Sequence, residues 1–161
     1  MKTFSELQEG VYDPNILKAF FLAGGPGSGK SYVVRRTTGG LGMKIVNSDD
    51  AFEKLLKDAG LSLKMPPEEE KPRDVVRDRA KSLTKKRQSN YIEGRLGLII
   101  DGTGRDFDKI SKQARELQGL GYDTHMIFVN TSLDTALLRN SQRARSVPEK
   151  VVVKSWNDVQ K

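Results

Sequence analysis

The sequence predicts an α/β fold of three layers, with a mainly parallel sheet of four to five strands between helices. Three observations carry that expectation. Short apolar runs alternate along the chain with amphipathic helical patterns, as they do where strands are joined by crossover helices. A glycine-rich segment, Gly24-Gly25-Pro26-Gly27-Ser28-Gly29-Lys30-Ser31, directly follows the first apolar run. The length of 161 residues suits one domain with a single core and is too short for a separate lid domain.

Taken in order, residues 1–17 read as an N-terminal extension that carries Glu6 and Glu9 and no apolar leader-like run. Strand one is expected over Ala19–Leu22. The segment Gly24–Ser31 matches G-x-x-x-x-G-K-[ST], and a strand before it with a helix after it is the context in which that pattern cradles phosphate. The backbone of Gly25, Pro26, Gly27, Ser28 and Gly29 would wrap the phosphate oxygens, and the helix starting near Lys30 adds its positive dipole end. Lys30 would reach the β- and γ-phosphates, and Ser31 would hold Mg²⁺. The motif therefore implies a nucleotide, ATP or GTP, without naming the reaction.

Strand two is expected over Met43–Asn47. Phe52, Leu55, Leu56 and Ala59 then fall at i, i+3, i+4 and i+7, an amphipathic helix with Ser48 or Asp49 as cap and Gly60 as stop. Leu61–Glu70, with Pro66-Pro67, reads as an exposed loop, and a charged helix follows from about Pro72 to Ile92. Residues 64–92 make up a charged, substrate-side region. Between Lys71 and Arg95 stand nine Lys/Arg against three acidic residues, either a solvated helix face or a funnel for an anionic substrate or nucleic acid. No aromatic residue interleaves with these charges before Tyr91, so a base-stacking platform is poorly supported.

Strand three is expected over Leu96–Ile100. Phe107, Ile110, Ala114, Leu117 and Leu120 give the next helix an apolar face, stopped by Gly119 and Gly121. Strand four is expected over His125–Val129, with His125 structural. Ser132 caps a helix through Leu133, Ala136 and Leu137, and Pro148 opens a last helix whose Val151, Val152, Trp156 and Val159 form a stripe that should be buried. The expected strand order is 2-3-1-4 or 3-2-1-4, and the ending inside a helix raises the possibility of a fifth strand beyond it.

Composition narrows the chemistry. With no cysteine there is no disulfide, thiolate metal site or cysteine nucleophile, so any metal is oxygen-bound Mg²⁺. No run reaches the roughly 18 apolar residues of a membrane span, and a cytoplasmic protein without a membrane partner is expected. The net charge is +7. Oligomeric state is left open.

Ligands of doubly wound sheets sit at the carboxyl ends of the strands, so the polar residues there are the candidates. After strand two come Asp49 and Asp50; phosphoryl transfer needs an oriented acceptor hydroxyl, and a carboxylate here would take its proton. After strand three comes Asp101-Gly102-Thr103-Gly104-Arg105: Asp101 stands where a Walker-B aspartate organises Mg²⁺, while Thr103 and Arg105 would grip an acceptor. Arg139 and Arg143, four residues apart, would share one helix face and close over the donor phosphates as a lid, residues 139–148. A GTP-binding switch is a rival, since Asp101-Gly102-Thr103-Gly104 fits D-x-x-G, but the chain has no N-K-x-D to read guanine. A non-catalytic nucleotide- or nucleic-acid-binding protein is the other rival.

These segments resemble the P-loop kinases grouped around zeta toxins and the kinase domain of bacteriophage-type polynucleotide kinase. Leu98–Arg105 followed by Gly121-Tyr122-Asp123-Thr124 is similar to the zeta-toxin stretch that binds a sugar nucleotide; the resemblance gives that role to Asp101, Thr103 and Arg105. Arg139–Arg143 with Val147-Pro148 is similar to the polynucleotide-kinase lid, and Asn47-Ser48-Asp49 aligns with the catalytic aspartate of both, favouring Asp49 as base. Polynucleotide kinases carry an arginine where this chain has Phe52. The implied function is transfer of the γ-phosphoryl of ATP, with Mg²⁺, to a hydroxyl of a small nucleotide-like or sugar-nucleotide acceptor, with a polynucleotide 5′-hydroxyl as the alternative.

Overall fold

The computed structural model describes residues 16–37, 41–104, 106–143 and 145–160. Four strands, β1 (Lys18–Ala23), β2 (Lys44–Val46), β3 (Leu98–Asp101) and β4 (Asp123–Phe128), form one sheet in the order β2-β3-β1-β4. Every pairing is parallel, with Phe20 opposite Ile99 on one side and His125 on the other. Six helices connect and follow them: α1 (Lys30–Thr37), α2 (Ser48–Asp58), α3 (Glu70–Glu93), α4 (Phe107–Gly119), α5 (Leu133–Ser141) and α6 (Glu149–Val159). The chain has the P-loop kinase layering expected from the sequence, and the strand order is one of the two expected.

Alternation along β1 explains the layers, because successive side chains point to opposite faces. Ala19 and Phe21 join Val46, Leu98, Leu117 and Tyr122 in a cluster covered by α4 and by Tyr91 and Ile92 at the end of α3. Leu22, on the opposite face, packs with Ile99 and Val34 of α1. A third cluster lies away from the sheet, where Ala51, Phe52 and Leu56 of α2 meet Ala80 of α3 and Met65 of the intervening loop. That cluster turns α2 and α3 into one unit beside the carboxyl end of β2.

Several local expectations need correction. The cap of α2 is Asn47, whose side chain accepts from Asp49 N–H at 2.8 Å, and neither Ser48 nor Asp49 takes that place. The helix stop at Gly60 holds, with φ +68 and Leu61 N–H returning to the Leu56 carbonyl. A 3-10 turn, Pro67–Glu69, precedes α3, which begins at Glu70, before Pro72. On α4 only Ile110, Ala114 and Leu117 pack in the core, while Phe107 is 78% exposed. On α6 the buried side is Val152 and Ser155 with Trp156 and Val159 partly covered, while Val151 faces solvent. His125 stacks on Phe20 and meets Asp123, in keeping with a structural role. No helix among the described residues is long and apolar enough to cross a membrane.

Candidate active site

The loop between β1 and α1 owes its shape to backbone that only glycine tolerates. Gly27 has φ +81 and lies so close to the Ala136 carbonyl of α5 that any Cβ would collide with it. Gly29 has φ +103. The loop is further stitched to the end of β3, since Gly24 N–H donates to the Thr103 carbonyl at 2.9 Å and Gly102 N–H to the Leu22 carbonyl at 3.3 Å. On its other flank α6 abuts Gly25, and the Trp156 indole donates to the Thr131 carbonyl at 2.8 Å. Pro26 and Ser28 complete the turn; the Ser28 hydroxyl is buried without a hydrogen-bond partner among the described residues.

Lys30 opens α1 and folds its amine back onto the carbonyls of Gly24 (2.7 Å) and Gly25 (3.3 Å). Burial pushes this ammonium below its ordinary value, while the charges of Asp101 and Asp49 pull it up and Arg143 pulls it down again. Asp101, at the last residue of β3, shows the mirror image. Burial raises its carboxyl, Lys30 opposes that shift, and Asp49 and Asp50 reinforce it. The Lys30 ammonium and the carboxylates of Asp101, Asp49 and Asp50 thus share one charged environment at the carboxyl ends of β1, β2 and β3, with Arg143 as a second cation acting on both Lys30 and Asp101.

Asn47 was not singled out from the sequence, yet it links two strands: its amide caps α2 and donates to Asp101 Oδ2 at 2.9 Å. Asp49 is half exposed, and its Oδ2 is engaged by Arg145 at 2.6 Å. Asp50 is exposed beside it. Thr103 contributes its backbone to the loop, whereas Arg105 lies outside the described residues.

The arginines after β4 divide differently from expectation. Helix α5 ends at Ser141, so Arg139 and Arg143 do not share a helix face; Arg143 stands beyond the cap residue Gln142. Arg139 donates to the carbonyls of Ser28 (3.3 Å) and Gly27 (3.4 Å), bracing the glycine loop from α5. Arg143 is exposed, and its carbonyl accepts from Lys64 at 3.1 Å. The buried member of the set is Arg145, with 9% of its side chain exposed. Asn140, also missed, holds this connection: its amide donates to the Val147 carbonyl at 2.8 Å and accepts from Val147 N–H at 3.1 Å. Val147 in turn packs on the α2–α3 cluster. No periodicity signals such pairings, since both partners of each are polar or in irregular backbone.

The donor set suits a nucleotide with Mg²⁺. A Cβ at Gly24 or Gly27 would strike the backbone of Val129 or Ala136, so the loop stays bare and tightly held, and Ser31 and Asp101 are the two hard-oxygen residues that would hold an ion keeping most of its shell as water and phosphate. Among the described residues no larger His, Cys, Asp and Glu cage is assembled.

The family profile of the zeta toxins matches residues 13–160. The chain belongs to the zeta toxin family. No curated protein matches it. Among solved structures it is similar to a chain of the Pnkp1/Rnl/Hen1 RNA repair complex, with 21% identity and TM-score 0.66 over 90% of this chain and 44% of that one. It is similar to a chain of the AvrRxo1-ORF1:AvrRxo1-ORF2 complex with sulphate ions, at 16% identity and TM-score 0.71 over 89% and 47%. It is also similar to a chain of the PezAT chromosomal toxin-antitoxin system of Streptococcus pneumoniae, at 19% identity and TM-score 0.55 over 76% and 50%. The chain spans half or less of the length of each of these, and at such identities the likeness is one of fold.

Proposed function

We propose that this chain is an ATP-dependent phosphotransferase acting on a hydroxyl of a small nucleotide-like or sugar-nucleotide acceptor. The observation that carries the reading is the convergence of Lys30, Asp101 and Asp49 at one end of the sheet, where the Asp101 and Asp49 charges act on the Lys30 ammonium and Lys30 and Asp49 act on the Asp101 carboxyl. ATP supplies the phosphoryl group and Mg²⁺ offsets its charge. The glycine loop and Lys30 bind the donor phosphates, with Ser31 and Asp101 as the oxygens for the ion. Asp49 accepts the proton of the acceptor hydroxyl; Arg145 occupies Oδ2, and Oδ1 has no partner among the described residues. Asp50 flanks that acceptor side and Thr103 extends it; Arg105, outside the described residues, keeps the acceptor-gripping role that the resemblance gives it. Residues 139–148 act as the lid: Arg139 braces the loop, and Arg143, exposed beyond α5, offsets the charge that develops in transfer.

A polynucleotide acceptor is favoured by one observation only, the basic outer surface of α3, where Arg79, Lys81, Lys85, Lys86 and Arg87 are exposed. Incubation with γ-labelled ATP and a panel of nucleosides, oligonucleotides and UDP-sugars tests both readings. Label on a UDP-sugar or nucleoside supports the first, and label on oligonucleotide 5′ ends, falling steeply with salt, supports the second. Binding of nucleic acid or ATP without transfer to any of them points to a non-catalytic protein.

A further inference from the structure

The pairing of β2 with β3 sets Lys44 opposite Leu98, Ile45 opposite Ile99 and Val46 opposite Ile100. Carried one step further, that register sets Asn47 beside Asp101, and residues side by side on neighbouring strands project to the same face. The two side chains do meet: the Asn47 amide nitrogen donates to Asp101 Oδ2 at 2.9 Å. The oxygen of the same amide accepts from the Asp49 N–H at 2.8 Å, as the cap of α2. One planar group therefore touches both the carboxylate on the ion side and the first turn of the helix that carries Asp49.

The orientation of that amide is dictated by its partners. A backbone N–H can only donate and an ionised carboxylate can only accept, so the amide oxygen faces α2 and its nitrogen faces Asp101. A cap alone does not ask for asparagine, because serine and aspartate cap a helix about as well. Neither supplies the second bond. Aspartate would set oxygen against oxygen, and a serine hydroxyl ends one bond short of where the amide nitrogen stands. With Oδ2 taken by Asn47, Asp101 keeps Oδ1, which has no hydrogen-bond partner among the described residues. Mg²⁺ tolerates little departure from octahedral geometry, so a carboxylate held in one rotamer serves it better than one that turns freely.

We propose that Asn47 is a positioning residue: anchored on the Asp49 N–H, it holds the Asp101 carboxylate in the rotamer that receives Mg²⁺. This rests on the reading of Asp101 as an oxygen for the ion of a nucleotide bound at the glycine loop. It adds a residue that touches neither nucleotide nor acceptor and acts through Asp101.

The test titrates AMP-PNP, a non-hydrolysable ATP analogue, calorimetrically into the natural chain and its variants, once with Mg²⁺ and once with EDTA in its place. Mg²⁺ should tighten AMP-PNP on the natural chain. Asn47→Ser keeps a good cap and loses the donor to Asp101; it should weaken binding in Mg²⁺ by about tenfold or more, the usual cost of removing the partner of a metal-binding carboxylate, with affinity in EDTA within about twofold. Asn47→Ala should show the same weakening in Mg²⁺ and a lower Tm besides, because it gives up the cap as well. In an Asp101→Ala background, Asn47→Ser should change the Mg²⁺ response no further, since the residue acts through that carboxylate. A natural Mg²⁺ response in Asn47→Ser would leave Asn47 as a cap only and overturn the proposal, and so would a further loss in the Asp101→Ala background. Equal affinity of the natural chain for AMP-PNP in Mg²⁺ and in EDTA overturns it too, together with the ion-side reading of Asp101, while the donor loop stands. Failure of the natural chain to bind AMP-PNP under either condition overturns the kinase reading itself.

Discussion

The glycine loop and the α2–α3 side of the crevice are built by opposite means. The loop is eight consecutive residues whose shape lies in the backbone: positive φ at Gly27 and Gly29, and an approach to Ala136 that admits no Cβ. The facing side is assembled from side chains far apart in sequence, Asp49 and Phe52 on α2, Arg77 on α3, and Asn140 and Arg145 around the α5–α6 connection. Backbone geometry is set within a few residues and resists change. A constellation of side chains depends on the packing of several elements at once and is free to vary its chemistry on an unchanged frame.

Five substitutions would break or sharpen that contrast. The largest effect is expected for Lys30→Ala, which should remove measurable phosphoryl transfer to any acceptor, with far-ultraviolet circular dichroism and Tm little altered, since its amine contacts only carbonyls of its own loop. Turnover near that of the natural chain would show that the loop does not serve a donor. Asp49→Asn should lower kcat by about 10²–10⁴-fold with ATP affinity nearly intact, the usual scale for a general base. Asp50→Asn should do less; a reversed order, measured side by side, would move the base by one residue.

Asp101→Asn sits between the two regions, and its sign follows from linkage. Burial raises the carboxyl above its ordinary value of 3.8, so as pH climbs through that interval the folded chain still holds a proton that the unfolded chain has released. Stability from this group therefore falls with rising pH there, and the cost is fully present above the raised value. The amide variant should show a Tm at neutral pH higher by roughly 2–4 °C, the response of a chain this size to about 1 kcal/mol. Its transfer rate should be about 10²-fold lower. Melting curves from pH 4 to 8 check it; a lower Tm at neutral pH would mean that the charge is stabilised by Lys30 more than burial costs.

The smallest effect on chemistry is expected for Asn140→Ala. It leaves the Val147 N–H and carbonyl without these partners in a partly buried place, a loss of about 1–3 kcal/mol by denaturant unfolding. Because Asn140 holds the connection that carries Arg145, acceptor KM should rise while ATP affinity stays within about twofold. Equal loss on both would make the connection part of the donor side.

What the sequence made legible follows the same line. The strands, their parallel order and the glycine loop were readable because periodicity and a contiguous motif encode them locally. The caps were half readable: Ser132 accepts from Thr135 N–H as its residue type implies, but at α2 the expectation fell on Ser48 or Asp49, and the packed chain uses Asn47 before them. Arg139 and Arg143 looked equivalent by spacing, and the end of α5 at Ser141 separates them. Arg145 and Arg77 were two among many basic residues; what distinguishes them is burial against Phe52, a contact spanning α2, α3 and the α5–α6 connection that no window of sequence contains.

Helix α6 lies against the glycine loop at Gly25, and the residue at that contact, Trp156, is the only tryptophan in the chain. Its indole is tethered to the Thr131 carbonyl and is partly shielded from water. The molecule thus carries a built-in optical gauge of its own phosphate loop: emission excited at the red edge of the protein's absorption comes from one place, with no background from a second indole. Any ligand that shifts the loop by a fraction of an ångström reports itself as a change in colour or brightness, without a label and without waiting for a product.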